Sequence, residues 1–176
     1  MSTLGIPRAD HPTVLETGLE QYDALTQQLL YVRGITMRAD AETFFAREYE
    51  TGLHDPFLLP DMEHAVARIF LALEKKERIA IFSDYDCDGI PGGVLLHDFF
   101  TMIGYTNFCN YIPHRHEEGY GVSLHAIDKL HSEGVSLIIT VDCGIQDVAE
   151  VDHARTLGVD VIVTDHHEPG ETLPRA

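Results

Sequence analysis

The apolar run Ile79-Ala80-Ile81-Phe82 leads through Ser83 into Asp84-Tyr85-Asp86-Cys87-Asp88-Gly89, three carboxylates spaced two apart and closed by a glycine. On an extended chain, period-two spacing puts all three carboxylates on one side, and the glycine permits a sharp turn after them. Carboxylates this close repel one another, and a multivalent cation removes that cost. Two further clusters end later apolar runs: Asp142 follows Leu137 to Val141, and Asp165-His166-His167 follows Val159 to Thr164. The pattern is that of a metal site built at the carboxyl ends of strands.

From Arg78 onward the periodicity alternates regularly. It predicts strands over 78–84, 106–111, 136–141 and 159–164, with helices over 91–103, 123–133 and 146–157. Nearly all-apolar strands separated by helical stretches indicate an α/β fold, a parallel sheet with helices on both faces. Gly104, Gly134 and Gly158 fall where a helix stops before the next strand. Ligands of such sheets bind beyond the carboxyl ends of strands, where all three clusters fall. Upstream, residues 19–33 and 39–49 have helical patterning and 52–60 reads as a loop. Asp61 is placed to cap a further helix running to Lys75. The expected organisation is a flexible amino terminus over 1–18, a helical arm over 19–77 and the α/β domain over 78–176.

Twelve Lys and Arg against 29 Asp and Glu give a formal net charge of -17, which excludes holding a polyanion by bulk electrostatics. A phosphodiester site remains open, because a bound divalent ion reverses the local field. Three cysteines fit a reducing compartment, and neither a leader nor a membrane span is visible, so the expected location is cytoplasmic with no membrane partner. Carboxylate donors suit Mg²⁺ and Mn²⁺, and an imidazole shifts the balance toward Mn²⁺. Asp86, Asp88, Asp142 and His166 are placed closest to metal. Cys87, Cys109 and Cys143 lie too far apart for a zinc pair, and Cys87 and Cys143 are expected to pack under the loops. Asp142 has an alternative reading as the cap of the helix near Gln146, and the two histidines as a surface pair. Gly89 to Gly93 reads as an anion-cradling turn, without the Lys-Ser/Thr of a Walker A loop.

In order and spacing, Asp84-Tyr85-Asp86-Cys87-Asp88-Gly89, Val141-Asp142-Cys143-Gly144 and Thr164-Asp165-His166-His167 resemble the first three motifs of the DHH phosphoesterase superfamily. The likeness is nearest to its RecJ-type single-stranded-DNA exonucleases. The segments Leu29 to Ile35, His54 to Met62 and Tyr111 to Gly121 resemble that group as well, so the likeness covers roughly 20 to 176. It implies Asp86, Asp88 and His166 as metal ligands, Asp142 as a ligand able to bridge two ions, and Asp84, Asp165 and His167 as supporting or catalytic groups. The implied cofactor is Mn²⁺ or Mg²⁺, two ions in the complete domain. The implied activity is 5′ to 3′ hydrolysis of single-stranded DNA, with that DNA, and a single-strand-binding protein beside it, as partners. Arg115, in a loop leaving a strand's carboxyl end, is the candidate for holding a substrate phosphate, against a salt bridge to Glu117 or Glu118. Tyr85 and Tyr120 are candidates for stacking on a base or for loop packing. Ser83 and Pro91 depart from the family pattern, which has Gly and Thr there. The family's fourth motif, with a further metal-binding Asp, and its clamping domain do not occur in these 176 residues. The expectation is therefore a domain truncated at its carboxyl end. The alternatives are a small-molecule or oligonucleotide phosphoesterase of the same superfamily, or a non-catalytic fragment.

Overall fold

The structure, a computed structural model, describes residues 18–176 apart from Arg47, so the expectation for the amino terminus lies outside the described residues except at Gly18. Two compact units divide between Pro56 and Phe57. In the first, the Asp23 carboxylate accepts the N–H groups of Leu25 and Thr26 and starts α1 (Ala24–Val32) later than the periodicity suggests. The helix expected over 39–49 breaks in two, α2 (Arg38–Phe45) and α3 (Tyr49–Gly52), because Ala46 takes an extended ψ of 139°. Leu19, Leu30 and Ala41 form a small buried cluster, with Tyr22 and Ile35 against it.

The second unit begins its regular structure with α4 (Met62–Lys75). Asp61 stands before this helix with φ at 57° and makes no side-chain cap, unlike the cap expected of it. The chain then alternates through β1 (Arg78–Ser83), α5 (Gly89–Met102), β2 (Phe108–Tyr111), α6 (Leu124–Ser132), β3 (Val135–Val141), α7 (Val148–Thr156) and β4 (Asp160–Thr164). All strand pairs are parallel, in the order β2-β1-β3-β4. Side chains alternate between two cores, as a pleated strand requires. Ile79, Ile81, Leu137 and Ile139 meet Ala72 of α4 and Phe100 of α5 on one face. Ala80, Phe82 and Ile138 meet Ala126, Ile127 and Leu130 of α6 and Val151 and Ala154 of α7 on the other. With both faces covered, β1 and β3 are buried almost throughout, hence their unbroken apolar sequence. Thus α4, which the sequence expectation included in the arm over 19–77, packs on the sheet, with Ile69 and Leu73 beside Ala72.

The strand order fixes the position of the site. From β1 the chain moves outward to β2, then crosses back over β1 to add β3 and β4. The reversal leaves a crevice between the carboxyl ends of β1 and β3, the location where open parallel sheets bind ligands. Asp84 and Asp142 directly follow these two strands.

Candidate metal centre

Asp84 and Asp142 continue the ladder by one step. Asp84 N–H donates to Val141 O at 3.1 Å and Asp142 N–H to Thr164 O at 2.9 Å, so the two residues are held side by side. Both are buried, at 3% and 8% exposure, although they are acidic. Asp142 adopts φ 64°, a left-handed backbone that residues other than Gly, Asn and Asp seldom take and that recurs at functional positions. Gly144, at φ 108°, completes the reversal, while Thr140 Oγ1 donates to Cys143 O at 2.7 Å beneath it. Asp142 is no helix cap, since α7 starts at Val148 with Asp147 before it.

The first cluster bends around the start of α5. Asp86 Oδ1 accepts the N–H groups of Asp88 at 2.9 Å and Gly89 at 3.0 Å, which holds its carboxyl below the ordinary range. Gly89 is required by proximity: a Cβ there would stand 2.5 Å from Asp84 O. Gly92 and Gly93 likewise press on the Val141 and Ser83 side chains, so these glycines bring helix and strand ends together. Cys87 is exposed rather than packed, whereas Cys143 is buried and its thiol is raised to about 12 by that burial and the surrounding carboxylates.

From the third cluster, Asp165 turns inward, its side chain 1% exposed. Burial alone would raise its carboxyl; N–H groups from Ile145 (3.0 Å) and His167 (3.1 Å), with His167 Nδ1 at 2.7 Å, outweigh that and hold it low. The same Asp165 contact raises His167. His166 Nε2 stands 3.0 Å from Asp142 Oδ1 and 3.9 Å from Asp88 Oδ2.

Asp84, Asp86 and Asp142 each bring a carboxylate oxygen within 4.8 Å of the others, and Asp142, His166 and His167 form a second such group. Asp142 belongs to both. Asp88 belongs to neither group and approaches His166 Nε2 at 3.9 Å. Asp84, expected as a supporting or catalytic group, lies within the carboxylate group. Asp84 Oδ1 and both Asp142 carboxylate oxygens are buried without a hydrogen-bond partner, since His166 reaches Asp142 at ion-pair distance without hydrogen-bond alignment. Burial, then the Asp86 carboxylate, raises Asp142. A hard divalent cation fits this arrangement: it would satisfy orphaned oxygens and offset carboxylate repulsion, with imidazoles completing the donor set.

Arg115 places its guanidinium 4.1 Å from the centre of the ring of Tyr85, the residue between Asp84 and Asp86. The glutamates that could have paired with it are engaged elsewhere: Glu118 accepts from Tyr111 and from His114 N–H, and Glu117 lies near His114. Tyr120, which the sequence offered for base stacking or loop packing, is exposed and meets the His167 ring edge-on. Asp147 goes beyond the sequence expectation and accepts Val122 N–H at 2.7 Å. The Gly119-Tyr120-Gly121 triplet signals a constrained loop; no spacing marks Asp147.

Known proteins are similar to this chain in sequence and in fold. The chain is 42% identical over 151 residues to the single-stranded-DNA-specific exonuclease RecJ of Bacillus subtilis, covering 85% of this chain and 19% of that protein. The RecJ of Escherichia coli is 43% identical over 118 residues, 67% of this chain and 20% of that protein. The chain thus spans about a fifth of the length of these curated relatives. A crystal structure of exonuclease RecJ bound to manganese superposes with a TM-score of 0.60 at 43% identity, covering 66% of this chain and 30% of that one. RecJ from Thermus thermophilus in complex with Mn²⁺ gives 0.58 at 31% identity, covering 83% and 19%. Residues 78–176 match the family model of the DHH family, N-terminal domain, and the chain belongs to that family.

Proposed function

We propose that this chain carries the first part of the catalytic centre of a metal-dependent phosphodiesterase of the RecJ type, acting on single-stranded DNA from its 5′ end. The observation that carries the reading is the set of buried oxygens without hydrogen bonds on Asp84 and Asp142 at the β1/β3 crevice, ringed by Asp86, His166 and His167. The names of the relatives, single-stranded-DNA-specific exonucleases, support the substrate class. Asp86, Asp88, Asp142 and His166, with Asp84, would hold Mn²⁺ or Mg²⁺. When bound, such ions supply Lewis-acid polarisation of the phosphodiester and neutralise charge at phosphorus.

The protein's own groups divide the remaining work. Asp165 keeps a proton on His167 Nδ1 and fixes the ring, leaving Nε2 to exchange a proton with attacking water or leaving oxygen. Arg115, its guanidinium over the Tyr85 ring, would take a substrate phosphate. Cytoplasmic action agrees with free Cys87, Cys109 and Cys143, and among the described residues no helix is long and apolar enough to cross a membrane.

The test is a 5′-labelled single strand incubated with Mn²⁺, using the chain alone and the chain extended by the remainder of a RecJ relative. The reading expects labelled mononucleotide that requires metal and Asp142, faster from the extended protein. Equal release by Asp142→Ala, or attack confined to the 3′ end, would overturn it.

A further inference from the structure

We propose that Tyr120 is a positioning residue of the metal centre, its hydroxyl tying the main-chain carbonyl of Asp142 to the imidazole of His167. The inference rests on the metal reading of the site. Tyr120 Oη lies 3.2 Å from Asp142 O and 3.0 Å from His167 Nδ1, and its ring meets the His167 ring edge-on at 5.7 Å. One proton assignment satisfies every group. His167 Nδ1 stands 2.7 Å from Asp165 Oδ1 and so carries its proton, shared with Tyr120 Oη as second acceptor. The Tyr120 hydroxyl then donates to Asp142 O. In the neutral ring this leaves His167 Nε2 as the bare lone pair, the form a metal or a proton-transfer step needs.

The tyrosine is itself held in place. Gly119 and Gly121 on either side adopt φ of 82° and 85°. A Cβ on Gly121 would meet Asp147 Oδ2 at 2.7 Å, and that same oxygen accepts Val122 N–H at 2.7 Å. The half-buried Asp147 carboxylate therefore anchors the segment through the main chain beside Tyr120. Asp142, by contrast, is in the left-handed region, where its backbone gains least from local preference. A hydroxyl gripping its carbonyl steadies the residue shared by both groups of candidate ligands.

The experiment is calorimetric titration of Mn²⁺ into the chain, into Tyr120→Phe, and into Tyr111→Phe, whose hydroxyl bonds to Glu118 instead. Tyr120→Phe is expected to bind about tenfold more weakly, the scale for losing a group that orients metal ligands. Tyr111→Phe should keep wild-type affinity, and melting of the metal-free Tyr120→Phe protein should stay close to wild type. Unchanged Mn²⁺ affinity in Tyr120→Phe overturns the role of Tyr120 while leaving the metal reading intact. No Mn²⁺ binding by wild type overturns both. A second measurement needs no variant: in ¹⁵N-histidine-labelled wild type, His167 should carry its proton on Nδ1 and show cross-relaxation to the Tyr120 hydroxyl. A proton on Nε2 alone would overturn the assignment.

Discussion

Asp142 concentrates the cost of the site: a carboxylate 7% exposed, in a left-handed backbone, beside Asp86 and with neither oxygen hydrogen-bonded. Its carboxyl is raised in the folded state, first by burial and then by Asp86. A raised acid binds its proton more tightly folded than unfolded, so metal-free stability falls as pH rises from 3.8 through the raised value. We expect Asp142→Asn, which removes the charge and tolerates positive φ, to flatten this fall and add about 1 kcal/mol at neutral pH in urea unfolding with EDTA. The same variant should lose its stabilisation by Mn²⁺. A less stable metal-free Asp142→Asn would contradict the account. His167 has the opposite origin of shift, its imidazole raised by Asp165. Its contribution to stability is fully present below 6.5 and fades as pH rises through the higher folded value. NMR titration of the metal-free protein should find His167 above 6.5, and Asp165→Asn should bring it down. An unmoved titration in that variant would remove Asp165 as the cause.

At the scale of elements, the close seating of α5 on the strand ends brings the first cluster to the second. Gly89, Gly92 and Gly93 face Asp84, Val141 and Ser83 at distances with no room for a methyl group. Gly89→Ala sets a Cβ against backbone that cannot rotate away. It should cost about 1 to 3 kcal/mol in chemical denaturation, the usual penalty of overpacking, and weaken Mn²⁺ binding by displacing Asp86 and Asp88. Gly104→Ala is the comparison, since a Cβ there meets nothing within 4 Å although its φ is 74°. If the two variants bind Mn²⁺ equally well, seating of α5 is not what sets the cluster. Sequence periodicity located α5 to within a turn, yet attributed its glycines to an anion-cradling loop. Close approach of this kind leaves no periodic trace, whether the elements adjoin in sequence, as β1 and α5 do, or lie apart, as α5 and β3 do.

Across the whole molecule, the amino ends of the strands are fastened separately from the site. Arg68 of α4 donates to Glu77 and Asp160, both at 2.6 Å, and Ser136 Oγ donates to Glu77 at 3.0 Å, so one guanidinium joins the entries to β1 and β4. Burial would raise Glu77, but Arg68 and Ser136 outweigh it and hold it low. Its stabilisation is therefore present above 4.5 and lost as pH falls through the depressed folded value. Glu77→Gln should cost about 1.5 to 3 kcal/mol at neutral pH, the range for hydrogen bonds to a charged group, and less in acid below the folded value, with Mn²⁺ affinity unchanged. A pH-independent loss would argue against the ion pair. The sequence by itself determined much of this protein: four strands, the helices between them, and carboxylates and histidines at the strand ends, because burial on both faces forces apolar runs that polar clusters can only terminate. It left open which strands are neighbours. The order β2-β1-β3-β4, and with it the meeting of Asp84 and Asp142, came only from tertiary structure, as did the left-handed turn at Asp142 and the tie through Tyr120. The physical reason is that side-chain periodicity records which face of an element is buried, whereas the partner lying against that face is chosen by long-range packing.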